Sequence, residues 1–329
     1  MRYAIDVPNF GDFADPRVVA DLARRAEDAG WDGLFVWDHV THSKSRRRQI
    51  ADPWVLLTAA ALATQTIRLG TMVTPVARRR VSKLAREVTT LDRLTGGRMV
   101  LGVGLGAPLE DEFGTFGENA DPRDVAARLD EGLEALNLLW SGEPVTFRGD
   151  HVVIDDVTFL PTPVQRPRVP VWVGGLWPAR RPMRRAARWD GAIPLMPYEG
   201  GWPREPDAAT VREIHGFLTE ARAEAGRGAE PFDLVISGAS PADPAAAEDL
   251  MGPLADAGAT WWAESVWDDL ESAASMVRRA EQGPPPQRGL RPPRQRGLRL
   301  GPAAGVRCPG ATHAVRSGSV LRSPPGPDP

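Results

Sequence analysis

The residues best suited to chemistry stand where short apolar runs end. Asp38 and His39 close the run GLFVWDHV, and an imidazole at such a position can take or give a proton near neutral pH. The plainer alternative is a histidine that caps a strand or packs on a ligand. His42 lies three residues on, but no third ligand sits at useful spacing, so no metal is expected. A second run, IRLGTMVTPV, ends in Thr71, Met72 and Val73. A third, MVLGVGLGAP, carries Gly102, Gly104 and Gly106, and missing side chains there suit a flat ring laid against backbone. Gly102, Gly104 and Ala107 also fit a dinucleotide fingerprint. That motif needs a helix to open at once, whereas Pro108 follows and the next strong helix starts near Pro122. A fourth run, VPVWVGGLWP, passes through Gly174 and Gly175 to Trp177 and into a helix bearing Arg180, Arg181, Arg184 and Arg185. Cations in a first turn oppose the helix dipole. A bound phosphate would relieve that, with backbone N–H groups as donors and Ala192 and Ile193 of the next run alongside. The structural alternative is a solvated basic face. Of the eleven tryptophans, Trp37 and Trp177 lie nearest the chemistry; most others read as core.

The elements that must position these residues alternate along the chain. Strands are expected at Tyr3–Val7, Gly33–Trp37, Ile67–Val73, Met99–Val103, Val169–Val173, Gly191–Leu195, Phe232–Ser237 and Thr260–Ala263. Several are unbroken apolar runs, as in parallel strands buried on both faces. Helical segments follow each, at Pro16–Ala29, from Pro53 to about Thr64, and at Val81–Leu94, Pro122–Trp140, Pro178–Arg188, Ala208–Ala225, Pro244–Ala257 and Trp267–Glu281. Asp15–Pro16, Asp52–Pro53 and Asp121–Pro122 supply an N-cap and a first helical proline. Eight such units predict an α/β fold, a (β/α)8 TIM barrel, with a doubly wound sheet as the alternative. Insertions are expected after strand four (Gly106–Ala120) and after helix four (Pro144–Pro167). The second reads as a hairpin turning near Gly149–Asp150.

Residues 1–282 are acidic, with 32 Lys and Arg against 42 Asp and Glu, while residues 283–329 hold eight Arg and one Asp. An acidic body argues against a nucleic-acid partner. The one cysteine, Cys308, lies in the basic segment, so the body has no disulfide or thiolate chemistry. That segment, rich in Pro, Gly and Arg, reads as a disordered tail beyond a single 1–282 domain. With no long apolar run and no signal-like start, no membrane contact and a cytoplasmic location are expected. Only Lys44 and Lys83 are lysines, which disfavours a lysine-dependent barrel lyase.

The segments AGWDGLFVWDH, IRLGTMVTP, KLAREVTTLDRLTGGRMVLGVGLG, LDEGLEALNLLWSGEPVTFRGDH, PVWVGG and RRAARWDGAIPL, in this order over residues 1–282, resemble the luciferase-like family of flavin-dependent oxidoreductases and monooxygenases. The resemblance implies FMN or the deazaflavin coenzyme F420 bound at the carboxyl ends of the strands. It places a non-proline cis peptide at Met72–Val73 against the ring. It also implies His39 near the reactive face, with Asp38 beside it, and Gly174, Gly175, Ala192 and Ile193 near the phosphate. Thr71, Met72, Val73, Gly104, Gly106 and Trp177 complete the expected cofactor contacts. Hydride transfer to, or oxygen insertion into, a small organic substrate is the implied activity. The implied partners are that substrate and, as electron source, NAD(P)H or a flavin reductase; the implied assembly is a homodimer. A non-catalytic flavin-binding relative is the alternative. Ala107 departs from the Glu that some sugar-phosphate dehydrogenases of this family carry after the GVGxG run. Glu110 and Glu112 lie close by without an assignable role.

Overall fold

The computed structural model describes residues 1–43, 45–199, 202–266 and 269–286. Four helices open on Asp–Pro pairs, and each aspartate caps its own helix. They are α1 (Pro16–Ala29), α2 (Pro53–Ala63), α5 (Pro122–Leu139) and α8 (Pro244–Asp256), whose caps Asp15, Asp52, Asp121 and Asp243 accept backbone N–H groups of the first turn. Helix α1 stops at Gly30, which takes a left-handed φ of 93°, a conformation favouring glycine. Helices α3 (Val81–Thr95), α4 (Leu109–Glu112), α6 (Arg180–Ala186), α7 (Ala208–Glu224) and α9 (Ala273–Glu281) complete the set among the described residues.

The long strands are β1 (Arg2–Val7), β2 (Gly33–Val36), β3 (Arg68–Pro75), β4 (Met99–Gly104), β7 (Val171–Leu176), β8 (Gly191–Leu195), β11 (Asp233–Gly238) and β12 (Trp261–Glu264). They close into one barrel in the order β1-β12-β11-β8-β7-β4-β3-β2, and the neighbours pair in parallel. The barrel and both insertions match the sequence expectation. The first insertion holds α4. The second is a hairpin of β5 (Pro144–Arg148) and β6 (Val153–Thr158), and Glu131 of α5 accepts the N–H groups of Asp150, His151 and Val152 at its turn. Strands β9 (Tyr198–Glu199) and β10 (Trp202–Pro203) form a small ribbon.

Most element ends fall within a residue of expectation, and helix α6, expected as Pro178–Arg188, is two residues shorter at each end. Strand β3 runs on to Pro75, and β7 sits two residues later and ends past Gly174–Gly175. Helix α9 starts at Ala273, while the expected start at Trp267 lies outside the described residues. So does the expected 283–329 tail apart from residues 283–286, with Cys308.

Alternation sorts each strand between two cores. Tyr3, Ile5 and Val7 of β1 join the large core under the helices. Ala4 joins the barrel interior with Phe35, Met72, Trp172, Ile193 and Trp261. Large rings there need small neighbours to reach interior packing density. Trp172 stacks obliquely on Phe35 and meets Trp261 edge-on, with centroids 5.1 and 5.2 Å apart. A Cβ on Gly191 would overlap Trp172, and one on Gly33 would lie 3.2 Å from Trp261. These tryptophans are core, as their sequence setting suggests. No helix among the described residues is long and apolar enough to cross a membrane.

Candidate active site at the carboxyl mouth of the barrel

Barrel strands point their carboxyl ends at one rim, and ligand sites of this architecture gather there. At that rim β2 delivers Trp37, Asp38 and His39. Asn9, from the end of β1, holds the His39 backbone from both sides: its amide donates to His39 O (2.8 Å) and its carbonyl accepts the His39 N–H (3.1 Å). The imidazole Nδ1 lies 2.9 Å from Glu112 Oε1. Glu112 is fully buried at the end of α4, where its other oxygen accepts the Val40 N–H and pairs with Arg78. With Nδ1 donating to the carboxylate, Nε2 carries the ring's lone pair, and no described residue hydrogen-bonds it. Burial, then the Arg78 charge, push His39 down to about 4, so the ring is neutral at physiological pH.

Asp38 does a different job from its neighbour. Its carboxylate is buried and takes hydrogen bonds from Thr74 Oγ1 (2.9 Å), Arg78 Nη2 (2.5 Å) and Arg79 Nε and Nη2 (2.9 and 2.8 Å). Both oxygens are engaged, so Asp38 anchors the segment after β3 to the end of β2 and is not placed to exchange a proton. Arg78 thereby bridges Asp38 and Glu112. Glu112 is the participant that sequence reasoning left without a role. Its signal was present only as proximity to the glycine run; the pairing with His39 spans 73 positions.

His42 completes an aromatic group around His39. Its ring stacks on Phe10 (5.0 Å) and meets His39 edge-on (4.6 Å), and Arg48 Nη1 lies 2.6 Å from its Nδ1. Burial, His39 and Arg48 push His42 down to about 4. Among the described residues no group of three His, Cys, Asp or Glu could hold a metal.

The adjoining part of the rim, on β3, β4 and β7, is built of backbone. The Met72–Val73 peptide is cis. Thr71 Oγ1 donates to Gly102 O (2.9 Å), Met72 points into the barrel interior, and the register of β3 against β4 shifts between Thr71 and Thr74. The Val73 side chain occupies the space that side chains at two glycines would fill. A Cβ on Gly104 would lie 2.7 Å from Val73 Cγ2, and one on Gly174 3.0 Å from Val73 Cγ1. Gly106, with a φ of 86°, closes on Pro75. These glycines therefore admit a neighbouring strand first, and the wall left behind is Val73 with bare backbone at Gly104 and Gly174. Such a wall fits a flat ring. Gly174 pairs with Ile193 across β7 and β8; Ile193 faces the barrel interior and Ala192 the helix side.

The arginine-rich helix is less available to an anion than its sequence suggests. Arg185 makes a two-point bond to Asp130 (2.7 and 2.8 Å) and Arg188 a third (2.9 Å). Arg180 covers the Trp177 and Phe217 rings, leaving Arg181 and Arg184 exposed. Gly175 lets Pro182 approach, since a Cβ would overlap that ring. Trp177 is buried against Phe217 of α7 (5.9 Å), on the helix side of the wall rather than with His39 and Val73.

A separate cleft of about 540 Å³ runs between the β5–β6 hairpin and the start of α3, lined by Arg80, Ser82, Arg128, His151 and Phe159. It shares only Arg78 and Arg79 with the histidine network.

A closed eight-stranded parallel barrel with its polar network at the carboxyl rim defines the (β/α)8 class. Within that class, a family model described as luciferase-like monooxygenase matches residues 5–300, and the chain belongs to that family. The F420-dependent glucose-6-phosphate dehydrogenase of Nakamurella multipartita is 34% identical over 180 residues, 54% of this chain and 50% of that protein. The protein of the same description from Microbacterium testaceum is 34% identical over 226 residues, 67% of this chain and 63% of its own. The chain spans about half the length of most of these curated relatives. Among solved structures, an F420-dependent secondary alcohol dehydrogenase holding an F420–acetone adduct superposes with a TM-score of 0.68 at 18% identity, over 85% of this chain and 98% of that one. The oxygenating constituent of 3,6-diketocamphane monooxygenase from Pseudomonas putida, in complex with FMN, gives 0.68 at 16% identity, over 86% and 96%. At those identities the likeness is one of fold.

Proposed function

We propose that the chain is an oxidoreductase using coenzyme F420 or FMN on a small uncharged organic substrate. The observation that carries this reading is the pairing, at one rim, of a neutral His39 held through Nδ1 by buried Glu112 with a side-chain-poor wall at Val73, Gly104 and Gly174. The ring would rest on that wall, and the backbone around Gly174 and Gly175, with Ala192 and Ile193, would meet its phosphate. Bound there, the cofactor would supply hydride or oxygen chemistry. The curated relatives named above favour F420 over FMN.

The protein's own part is positional and protonic. Asn9 and Glu112 fix the imidazole plane, and Nε2 is the atom able to accept a proton from a substrate hydroxyl. Asp38 and Arg78 hold the supporting segment in place. Ala107, where some sugar-phosphate dehydrogenases carry Glu, weighs against a sugar phosphate as substrate.

Separate fluorescence titrations with F420 and FMN test the reading, followed by assay of a panel of alcohols and ketones with the cofactor that binds. Saturable binding of one cofactor and turnover lost in His39→Ala are expected. Binding without turnover of any kind would leave a non-catalytic flavin-binding protein, and binding of neither would refute the reading.

A further inference from the structure

Asp6 is the last inward-facing residue of β1, following Arg2 and Ala4 on the barrel side. Its level is the carboxyl rim, where Trp37 stands one residue past the end of β2 and Ser265 one past the end of β12. Trp37 Nε1 donates to Asp6 Oδ2 (2.9 Å), and Ser265 Oγ reaches the same oxygen (3.5 Å). Asp6 Oδ1 is buried and has no hydrogen-bond partner, although the residue is only 3% exposed. Buried polar atoms are almost always satisfied, and an orphan calls for a water, an ion or a function.

Among the described residues no cation compensates this carboxyl. The charged groups on the adjoining strands are already matched elsewhere: Asp38 to Arg78 and Arg79, and Glu264 of β12 to Arg279. His39 is neutral. Burial accordingly drives Asp6 up to about 8, against the pull of the Trp37 and Ser265 hydrogen bonds. A carboxyl in such surroundings keeps its proton and becomes a donor. Trp37 connects it to the histidine network, its ring edge-on to His39 with centroids 5.8 Å apart. A donor and an acceptor, Asp6 and His39 Nε2, thus flank one indole at one rim. When environments push two titratable groups to opposite sides of neutrality, their acid and acceptor roles are separated.

We propose that Asp6 is a specificity-determining residue that donates a hydrogen bond from its orphaned oxygen to an uncharged oxygen function, a carbonyl or hydroxyl, on the substrate. The location of the substrate rests on the functional reading given above. The protonated acid satisfies a neutral acceptor. A carboxylate or phosphate ester in the same place would meet a buried group that becomes anionic on losing its proton and has no cation beside it. Asp6 and Ala107 then act in the same sense, against anionic substrates.

The test uses the full chain with carboxyl-labelled aspartate, the Asp6 carbon-13 signal being assigned by its loss in Asp6→Asn. The probes are cyclohexanone, cyclohexanol and cyclohexanecarboxylate, added at mildly acidic pH to protein without cofactor and to protein saturated with whichever of F420 or FMN it binds. The ketone and alcohol should move the Asp6 signal saturably and the carboxylate should not. Asp6→Leu should weaken ketone binding roughly threefold to tenfold, the worth of one neutral hydrogen bond. Asp6→Asn, which keeps a donor and the acceptor for Trp37, should stay close to the parent. An Asp6 signal that titrates in the ordinary carboxylate range, or that neither ketone nor alcohol moves in either preparation, or that the carboxylate moves equally, overturns the proposal. Failure to bind either cofactor overturns the functional reading instead, and is seen in the fluorescence titration without reference to Asp6.

Discussion

Replacing Asp6 by Asn should make the protein more stable, and by an amount that depends on pH. Asp6 rises from an ordinary value of 3.8 to about 8 on folding. Below the unfolded value both states hold the proton, and the group imposes no cost. As pH rises the unfolded chain ionises first, so it binds fewer protons than the folded protein and stability falls until the folded group also ionises. At about 1.36 kcal/mol for each tenfold change in proton affinity, the cost at pH 7 reaches about 4 kcal/mol. Asparagine does not ionise, fills nearly the same volume and can still accept the Trp37 N–H. Urea unfolding of the two proteins in parallel should therefore show no gap near pH 4. In the same series Asp6→Asn should become the more stable protein by pH 5.5, with a gap of about 2–4 kcal/mol at pH 7. A gap of constant size at every pH, or a variant less stable throughout, would refute the claim that Asp6 is buried without compensation.

Other outcomes follow from the same geometry. Because His39 is pushed down to about 4, the acid limb of any pH–rate profile should fall near that value rather than near the ordinary histidine value, and His39→Ala should lose about 10²- to 10⁴-fold in kcat with cofactor affinity little changed. Glu112→Leu leaves Arg78 short of one buried partner and His39 Nδ1 without its acceptor; a loss of about 3–5 kcal/mol is expected by urea unfolding. Glu112→Gln, which keeps the Nδ1 acceptor, should lose less. Gly102→Ala drives a Cβ into the Thr71 carbonyl, backbone that cannot swing aside. A loss of at least about 1–3 kcal/mol is expected, together with weaker cofactor binding, because the cost falls on the strand bearing Val73.

Much of the fold was legible because its signals are local. Asp–Pro pairs cap and start helices through atoms within three residues, and unbroken apolar runs report strands buried on both faces. Eight repeats of that pattern left little besides a barrel. Parts of the candidate site were legible for the same reason: His39 stands just past the end of β2, and the glycines of β4 and β7 stand at strand exits. What the glycines do was not, since Gly104 and Gly174 make room for Val73, a side chain from a third strand. Trp177 stood next to the glycine pair in sequence yet turned to the helix layer against Phe217, because a side chain's face depends on where its strand ends.

The sequence by itself determined the order of elements, the closure into a barrel and the rim on which chemistry would gather, all consequences of periodicity and capping within a few residues. Only the tertiary structure decided which charges remain active there. Asp38 and Asp6 look alike in sequence, each an aspartate near a strand end. Two arginines fold over Asp38 and pair with it, while among the described residues none pairs with Asp6, which burial keeps protonated. Ionisation depends on the dielectric and the partners that distant segments bring together, and no local pattern records those.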